Sequence, residues 1–221
     1  MPDLTEAPRR SLTGAVIPAV AAAALVGAGA LVIVGLGEQR GMPATPLENC
    51  ILEGAEEVGG PIELVDSNGS IVTQADFAGA PAVIYFGFTH CPDVCPTTMY
   101  ALAEALTGPD AFDVRTALIS VDPQRDTPQV MGAYAETDGF PEGLVGLTGS
   151  EQQIEAAKRA FHVYAARAPI GDEDGIYNVD HSSLAYVMDR QWRTRAIIRT
   201  TGATPMQYAQ CIAAGLDAVA D

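Results

Sequence analysis

The sequence predicts an α/β domain, with helices on both faces of a mixed sheet, carried behind one N-terminal membrane span. Three observations predict it. The apolar run Ala82–Phe88 is short, β-branched and aromatic, and it is bounded by Pro81 and the Thr89-His90 turn, as a buried central strand would be. That strand turns directly into a helical pattern whose start carries two cysteines, Cys91 and Cys95. The remaining segments alternate as a β-hairpin, β-α-β-α, further α and β, then a closing hairpin and helix. A dithiol at the mouth of the first helix after a central strand is the thioredoxin-like arrangement, although here three residues separate the sulfurs rather than two.

The chain divides before the domain begins. No residue from Ser11 to Gly37 is charged, and Ala15–Leu36 is almost entirely Ala, Val, Leu, Ile and Gly. At about 1.5 Å per residue this run spans the roughly 30 Å of a bilayer core. It is too long for an ordinary signal-peptide apolar region and reads as an uncleaved signal anchor, cleavage within its Ala-rich part being the alternative. The expected layout is a cytoplasmic tail over 1–12, a transmembrane anchor over 13–36, a Pro- and Gly-rich linker over 37–58 and the folded domain over 59–221. Arg9 and Arg10 before the span, against Arg40 after it, put the N-terminus in the cytoplasm and the domain in the periplasm.

The net charge is −16, from 12 basic and 28 acidic side chains. The first forty residues hold three of each sign, so the domain carries all of it. Such a surface argues against nucleic acid and anionic lipid as partners. It would attract cations and basic protein surfaces, and it also serves plain solubility.

The elements follow in order. Ile62–Val65 and Ile71–Thr73 flank Asp66-Ser-Asn-Gly-Ser70, in which Asn68-Gly69 suits a tight turn with positive φ. Residues 76–79 connect this hairpin to the central strand. Pro96 suits the first position of the next helix, whose Met99, Leu102, Ala103 and Leu106 share a face and which ends near Gly108-Pro109. Val114–Val121 is a second buried strand. Thr127-Pro128 caps a helix over 129–137, and Ser150 with Gln153 forms a capping box for a helix over 151–161 that leads to His162. Val163–Ala168 reads as a short strand and Pro169–Asp180 as a solvated acidic loop. That loop delivers His181 onto a strand at Leu184–Met188. A last strand at Ala196–Arg199 precedes a helix capped by Thr204-Pro205.

The dithiol carries the chemistry. Unpaired N–H groups and the positive end of a helix dipole stabilise a thiolate there. Four residues, about one helical turn, let both sulfurs point at one small object: a metal ion, or each other in a disulfide. A metal needs a further ligand, and the chain has three histidines. His162, expected in a helix with Phe161 and Val163, reads as a surface or packing residue. His90 abuts Cys91 and can tune it electrostatically, but it is badly placed to close a site with both sulfurs. His181 remains, on the segment that faces the dithiol in thioredoxin-like folds, where redox enzymes carry a cis-proline; this chain has no proline between Ile170 and Ala185. Otherwise it is an ordinary polar turn residue. Two thiolates and an imidazole form a soft set suited to Cu(I), or to Cu(II), while zinc would call for Asp93 or Asp180 as a fourth ligand. Cys50 and Cys211 either bridge the start of the domain to its end or are unrelated thiols.

Taken together, Phe88-Thr-His-Cys-Pro-Asp-Val-Cys-Pro-Thr97, Val121-Asp-Pro-Gln-Arg-Asp-Thr-Pro128 and Val179-Asp-His-Ser182 resemble the Sco (SCO1/SenC) family over about residues 58–220, plus the anchor. The resemblance implies a thioredoxin-like, membrane-tethered copper protein that helps to assemble the copper-A centre of cytochrome c oxidase. Its partners would be apo subunit II and a copper donor. It maps Cys91, Cys95 and His181 onto the family's copper ligands, and the two cysteines also onto its reversible disulfide. Residues 122–128 would lie near the site and face the client. The chain is then a copper chaperone, a thiol–disulfide oxidoreductase acting on the client's cysteines, or both; a sensory role would use the same atoms. A peroxiredoxin-like peroxidase fits poorly, because Phe88 and Pro92 stand where a peroxide-positioning Thr or Ser is needed.

Overall fold

The computed structural model describes residues 47–107, 113–170 and 176–217. The strands are β1 (Cys50–Ile51), β2 (Glu63–Val65), β3 (Ile71–Thr73), β4 (Ala82–Gly87), β5 (Arg115–Ser120), β6 (Val145–Leu147), β7 (Ala165–Pro169), β8 (Tyr177–His181), β9 (Leu184–Met188) and β10 (Thr194–Arg199). The helices are α1 (Val94–Thr107), α2 (Pro128–Ala135), α3 (Glu151–Ala160) and α4 (Pro205–Asp217). The expected tail, the anchor and residues 37–46 of the linker lie outside the described residues. Among those described, no helix is long and apolar enough to cross a membrane.

Six strands form one mixed sheet in the order β1-β10-β9-β4-β5-β6. β4, β5 and β6 run parallel, while the pairs β4–β9, β9–β10 and β10–β1 are antiparallel. Every residue of β4 is buried, the pattern of a strand covered on both faces. The register shows what covers each face. Tyr85 lies opposite Ala185 and Val83 opposite Val187, and this face meets α1 and α4. Ile84 lies opposite Tyr186 on the other face, where Phe86, Tyr186 and Phe161 stack with centroids 5.1–6.0 Å apart. Phe161 caps the C-terminus of α3, so helices flank both faces as expected. Each large apolar side chain buried in this way contributes about 2 kcal/mol.

Local chemistry explains the helix starts. The Thr127 cap with Pro128 behind it and the Ser150/Gln153 capping box form as read from sequence. Helix α1 begins earlier than expected, at Val94, with Pro96 as its third residue. The Thr97 N–H donates to the Asp93 carbonyl, closing the first turn. Pro96 still costs nothing there, because the first four N–H groups of a helix have no partner within it.

Four further readings change. Hairpin β2–β3 is a separate two-stranded sheet. Its turn spans five residues, with Asp66 accepting from the N–H groups of Asn68 and Ser70, and only Gly69 has positive φ. The linker expected over 37–58 is structured in its second half. Cys50 and Ile51 pair with Ile198 and Ile197, covering an edge that β10 would otherwise leave open. Residues 177–180, expected in a solvated loop, form with His181 a strand paired with β7. His162, expected inside a helix, follows the α3 cap in the left-handed region at φ 53°.

Cys50 and Cys211 form a disulfide across a sequence separation of 161, with Cα atoms 5.5 Å apart. It ties the edge strand to α4. Cys91 and Cys95 are free thiols.

Candidate metal centre

Strand β4 ends at Gly87 and the chain reaches α1 within seven residues, so Cys91 lies in the loop and Cys95 in the first helical turn. The Cys95 N–H, one of the helix's unpaired donors, points at the Cys91 sulfur from 3.3 Å. Cys95 is fully buried and Cys91 partly exposed. Gly87 makes room for the deeper sulfur. A Cβ built there would lie 3.0 Å from Cys95 Sγ and 3.0 Å from the Tyr85 ring, so only glycine lets the helix mouth sit this close to the strand.

His181 arrives from the other end of the chain. It is the last residue of β8, pairing with Ala165, and its Nε2 lies 3.6 Å from Cys95 Sγ across 86 positions of sequence. Its Nδ1 lies 3.0 Å from the Ser182 carbonyl oxygen. A carbonyl can only accept, so Nδ1 carries the proton and the Nε2 lone pair faces the sulfur. The Phe88 and Tyr85 rings meet the imidazole edge-on at 5.7 and 6.1 Å. Cys91 and His181 border an open cleft of about 270 Å³, which Asp93 and Asp180 also line, while Cys95 is buried behind it. Among the described residues, no set of three His, Cys, Asp or Glu side chains is already closed around a common point.

The two thiols divide one proton. Cys91 is held down to about 4, first by a hydrogen bond from the Cys95 side chain; partial burial opposes this, and the neighbouring His181 side chain and backbone N–H groups add to the lowering. Cys95 is pushed up, because it keeps the proton that it donates to Cys91 and because it is buried. A nucleophilic thiolate, of a kind that can ligate a soft metal, therefore faces the cleft, with its proton-bearing neighbour behind it.

The other two histidines stay apart from this pair. His90 Nδ1 lies 3.1 Å from the Thr89 hydroxyl and 3.9 Å from Asp126, and His162 is exposed. The segment 122–128 does adjoin the site, in a way that sequence reasoning missed. Asp126, fully buried, accepts from the Thr89 hydroxyl and the Ser120 hydroxyl, both at 2.6 Å, and so pins the loop that carries Cys91. Burial pushes its carboxyl up, against the pull of these donors. Arg125 pairs with the buried Asp122, donates to the Tyr177 carbonyl at 3.0 Å and lies 3.9 Å above the Tyr177 ring. Tyr177 in turn donates to Asp122 at 2.9 Å. The clamp grips the first residue of β8, whose last residue is His181.

We expect Arg125→Ala to cost about 2–3 kcal/mol, since Asp122 would stay buried without its guanidinium partner. Amide exchange should accelerate along residues 177–181 and not along β4. Equal protection in both proteins would show that the clamp does not hold the strand.

Comparison with known proteins gives a consistent result. The family model for SCO1/SenC matches residues 52–216. A SCO2-like protein of Rickettsia felis is 38% identical over 167 residues, covering 75% of this chain and 80% of the relative. The structure of Bradyrhizobium japonicum ScoI with copper bound is 40% identical with a TM-score of 0.62, covering 72% of this chain and 99% of that one. Arabidopsis thaliana ScoI with copper bound is 32% identical with a TM-score of 0.64, covering 72% and 97%.

Proposed function

The chain belongs to the SCO1/SenC family, and from that membership we propose that it is a membrane-anchored copper chaperone for cytochrome c oxidase. Cys91, Cys95 and His181 hold the ion, which passes by stepwise ligand exchange to the copper-A site of apo subunit II. One observation carries the reading: the Nε2 of His181 comes from a distant part of the chain to lie 3.6 Å from the Cys95 sulfur of the dithiol. Two sulfurs and one nitrogen are a donor set suited to Cu(I) and Cu(II). The copper-bound relatives support the same cargo. Copper here is a substrate that must leave, and an open cleft bordered by Cys91 and His181 suits that task better than a closed cage. The Cys50–Cys211 disulfide fits a domain exported to an oxidising compartment, as the anchor and its flanking arginines predict.

The test loads purified full-length protein with Cu(I) and Cu(II) separately. One ion per chain is expected, with sulfur-to-copper absorption in the Cu(II) form. His181→Ala should weaken binding by at least about tenfold, the loss seen even for residues that only support a ligand. Transfer to a metal-free copper-A domain should fall with it. Affinity and transfer unchanged in His181→Ala would sink the assignment.

The asymmetric thiols favour a second reading, reduction of the client's cysteines by the metal-free dithiol. Cys91 as thiolate attacks a client disulfide, a mixed disulfide forms, and Cys95 resolves it, leaving Cys91–Cys95 oxidised and the client a dithiol. Copper must vacate the site before this exchange runs. Metal-free protein that fails to reduce a disulfide-bonded client would exclude it.

A further inference from the structure

The copper reading just given leaves one buried polar group at the site without a role, the hydroxyl of Tyr85. It lies on the central strand, fully buried, and stands 3.8 Å from Cys95 Sγ. Phenylalanine would fill the same volume without the cost of burying a hydroxyl, so the oxygen calls for a partner. The strand is shaped to supply that partner. Gly87 lies two residues on, on the same face, and a side chain there would meet both the sulfur and the Tyr85 ring at 3.0 Å. The same ring touches the His181 imidazole edge-on. Tyr85 thus adjoins two of the three proposed ligands from the dry side, opposite the cleft.

We propose that Tyr85 is a tuning residue for the bound ion: its hydroxyl donates to the Cys95 sulfur and biases the site toward Cu(I) over Cu(II). In a Cu(II)–thiolate bond the sulfur gives density to the metal, whereas in the Cu(I) form the sulfur keeps more negative charge. A donor aimed at that sulfur therefore stabilises the reduced complex more than the oxidised one, and it lowers the energy of the sulfur electrons that give rise to the charge-transfer band. The effect needs no electron donor of its own, because it is a difference between two binding equilibria.

The experiment compares full-length wild type with Tyr85→Phe, loaded with Cu(I) or Cu(II), and uses Tyr134→Phe as a control. The Tyr134 hydroxyl is also buried but has no hydrogen-bond partner in the structure. In Tyr85→Phe the sulfur-to-Cu(II) band is expected to move to longer wavelength. The ratio of Cu(I) to Cu(II) affinity should fall roughly threefold to tenfold, the worth of one hydrogen bond, with a wild-type unfolding midpoint. An unchanged band and ratio in Tyr85→Phe, with the band abolished in Cys91→Ser, would overturn the role of Tyr85 and leave the copper reading standing. An equal shift in Tyr134→Phe would also overturn it, since a hydroxyl that does not reach the sulfur would be doing as much. A wild-type protein with no sulfur–copper band would overturn both readings together.

Discussion

Replacing Cys50 and Cys211 together by alanine should lower the unfolding free energy by about 2–5 kcal/mol, among the largest effects expected of any substitution in this chain. The disulfide closes a loop of 161 residues, nearly the whole domain. The reduced unfolded chain therefore regains close to the maximum loop-closure entropy that one cross-link can remove, about 5 kcal/mol on chain-entropy grounds. Strand β1 is two residues long and pairs with β10 alone; the disulfide adds a covalent tie to the buried Cys211 on α4, beside the hydrogen bonds of Glu48 and Asn49 to Gln207. The denaturation midpoint of the double variant should fall well below that of the oxidised wild type and match that of wild type treated with reductant. Copper binding should survive, because Cys91, Cys95 and His181 are not touched. Coincident midpoints for oxidised wild type and the double variant would show that the bridge contributes nothing.

That bridge also shows where sequence reasoning reached and where it stopped. Two cysteines far apart in an exported chain permit a disulfide but do not establish one; the answer depended on a two-residue edge strand too short to carry any periodicity. β6, at the opposite edge, is hidden for the same reason. Residues 177–180 of β8 read as loop because they follow a run of glycine and acids, and of the strand's residues only Val179 is buried. By contrast, the dithiol, the caps at Thr127 and Ser150 and the central strand declare themselves through residue types that have few other uses in those positions. The three residues proposed as ligands stand out in the sequence because cysteine and histidine are scarce here, four and three in the chain. The residues that support them do not. A tyrosine on an apolar strand looks the same whether its hydroxyl is idle or aimed at a sulfur. The stacking of Arg125 on Tyr177 depends on β8 being a strand at all. Segment 122–128 could be placed beside the site by resemblance, but its two buried carboxylates and their separate tasks, one on each ligand-bearing segment, exist only in three dimensions.

A second large effect concerns pH. The Cys91 thiol, held at about 4, should remain ionised through the neutral range, whereas an ordinary thiol near pKa 8.5 is only ~0.3% ionised at pH 6. The rate of alkylation at a single pH is a poor measure of this difference. Intrinsic nucleophilicity falls with pKa, with a Brønsted slope of about 0.4–0.5, so a thiolate acidified by four to five units gives back roughly a hundredfold of its advantage. The position of the inflection is the diagnostic quantity. In reduced, metal-free protein the alkylation rate of Cys91 should be flat from pH 8 to pH 6 and fall tenfold per unit only below about pH 4. Cys95→Ala removes the strongest donor to the thiolate and should move that inflection upward by more than one unit, with a faster rate above it. The same shift has a stability consequence of definite sign. A folded-state pKa below the unfolded one stabilises the fold above the unfolded value, and that contribution is lost as pH falls toward the folded value. Reduced wild type should therefore lose stability from about pH 8.5 down toward pH 4, and Cys95→Ala should lose less over that range. A wild-type inflection between pH 8 and 9 would mean that the two sulfurs do not share a proton, and with that the division of labour between an exposed thiolate and its buried partner would fall.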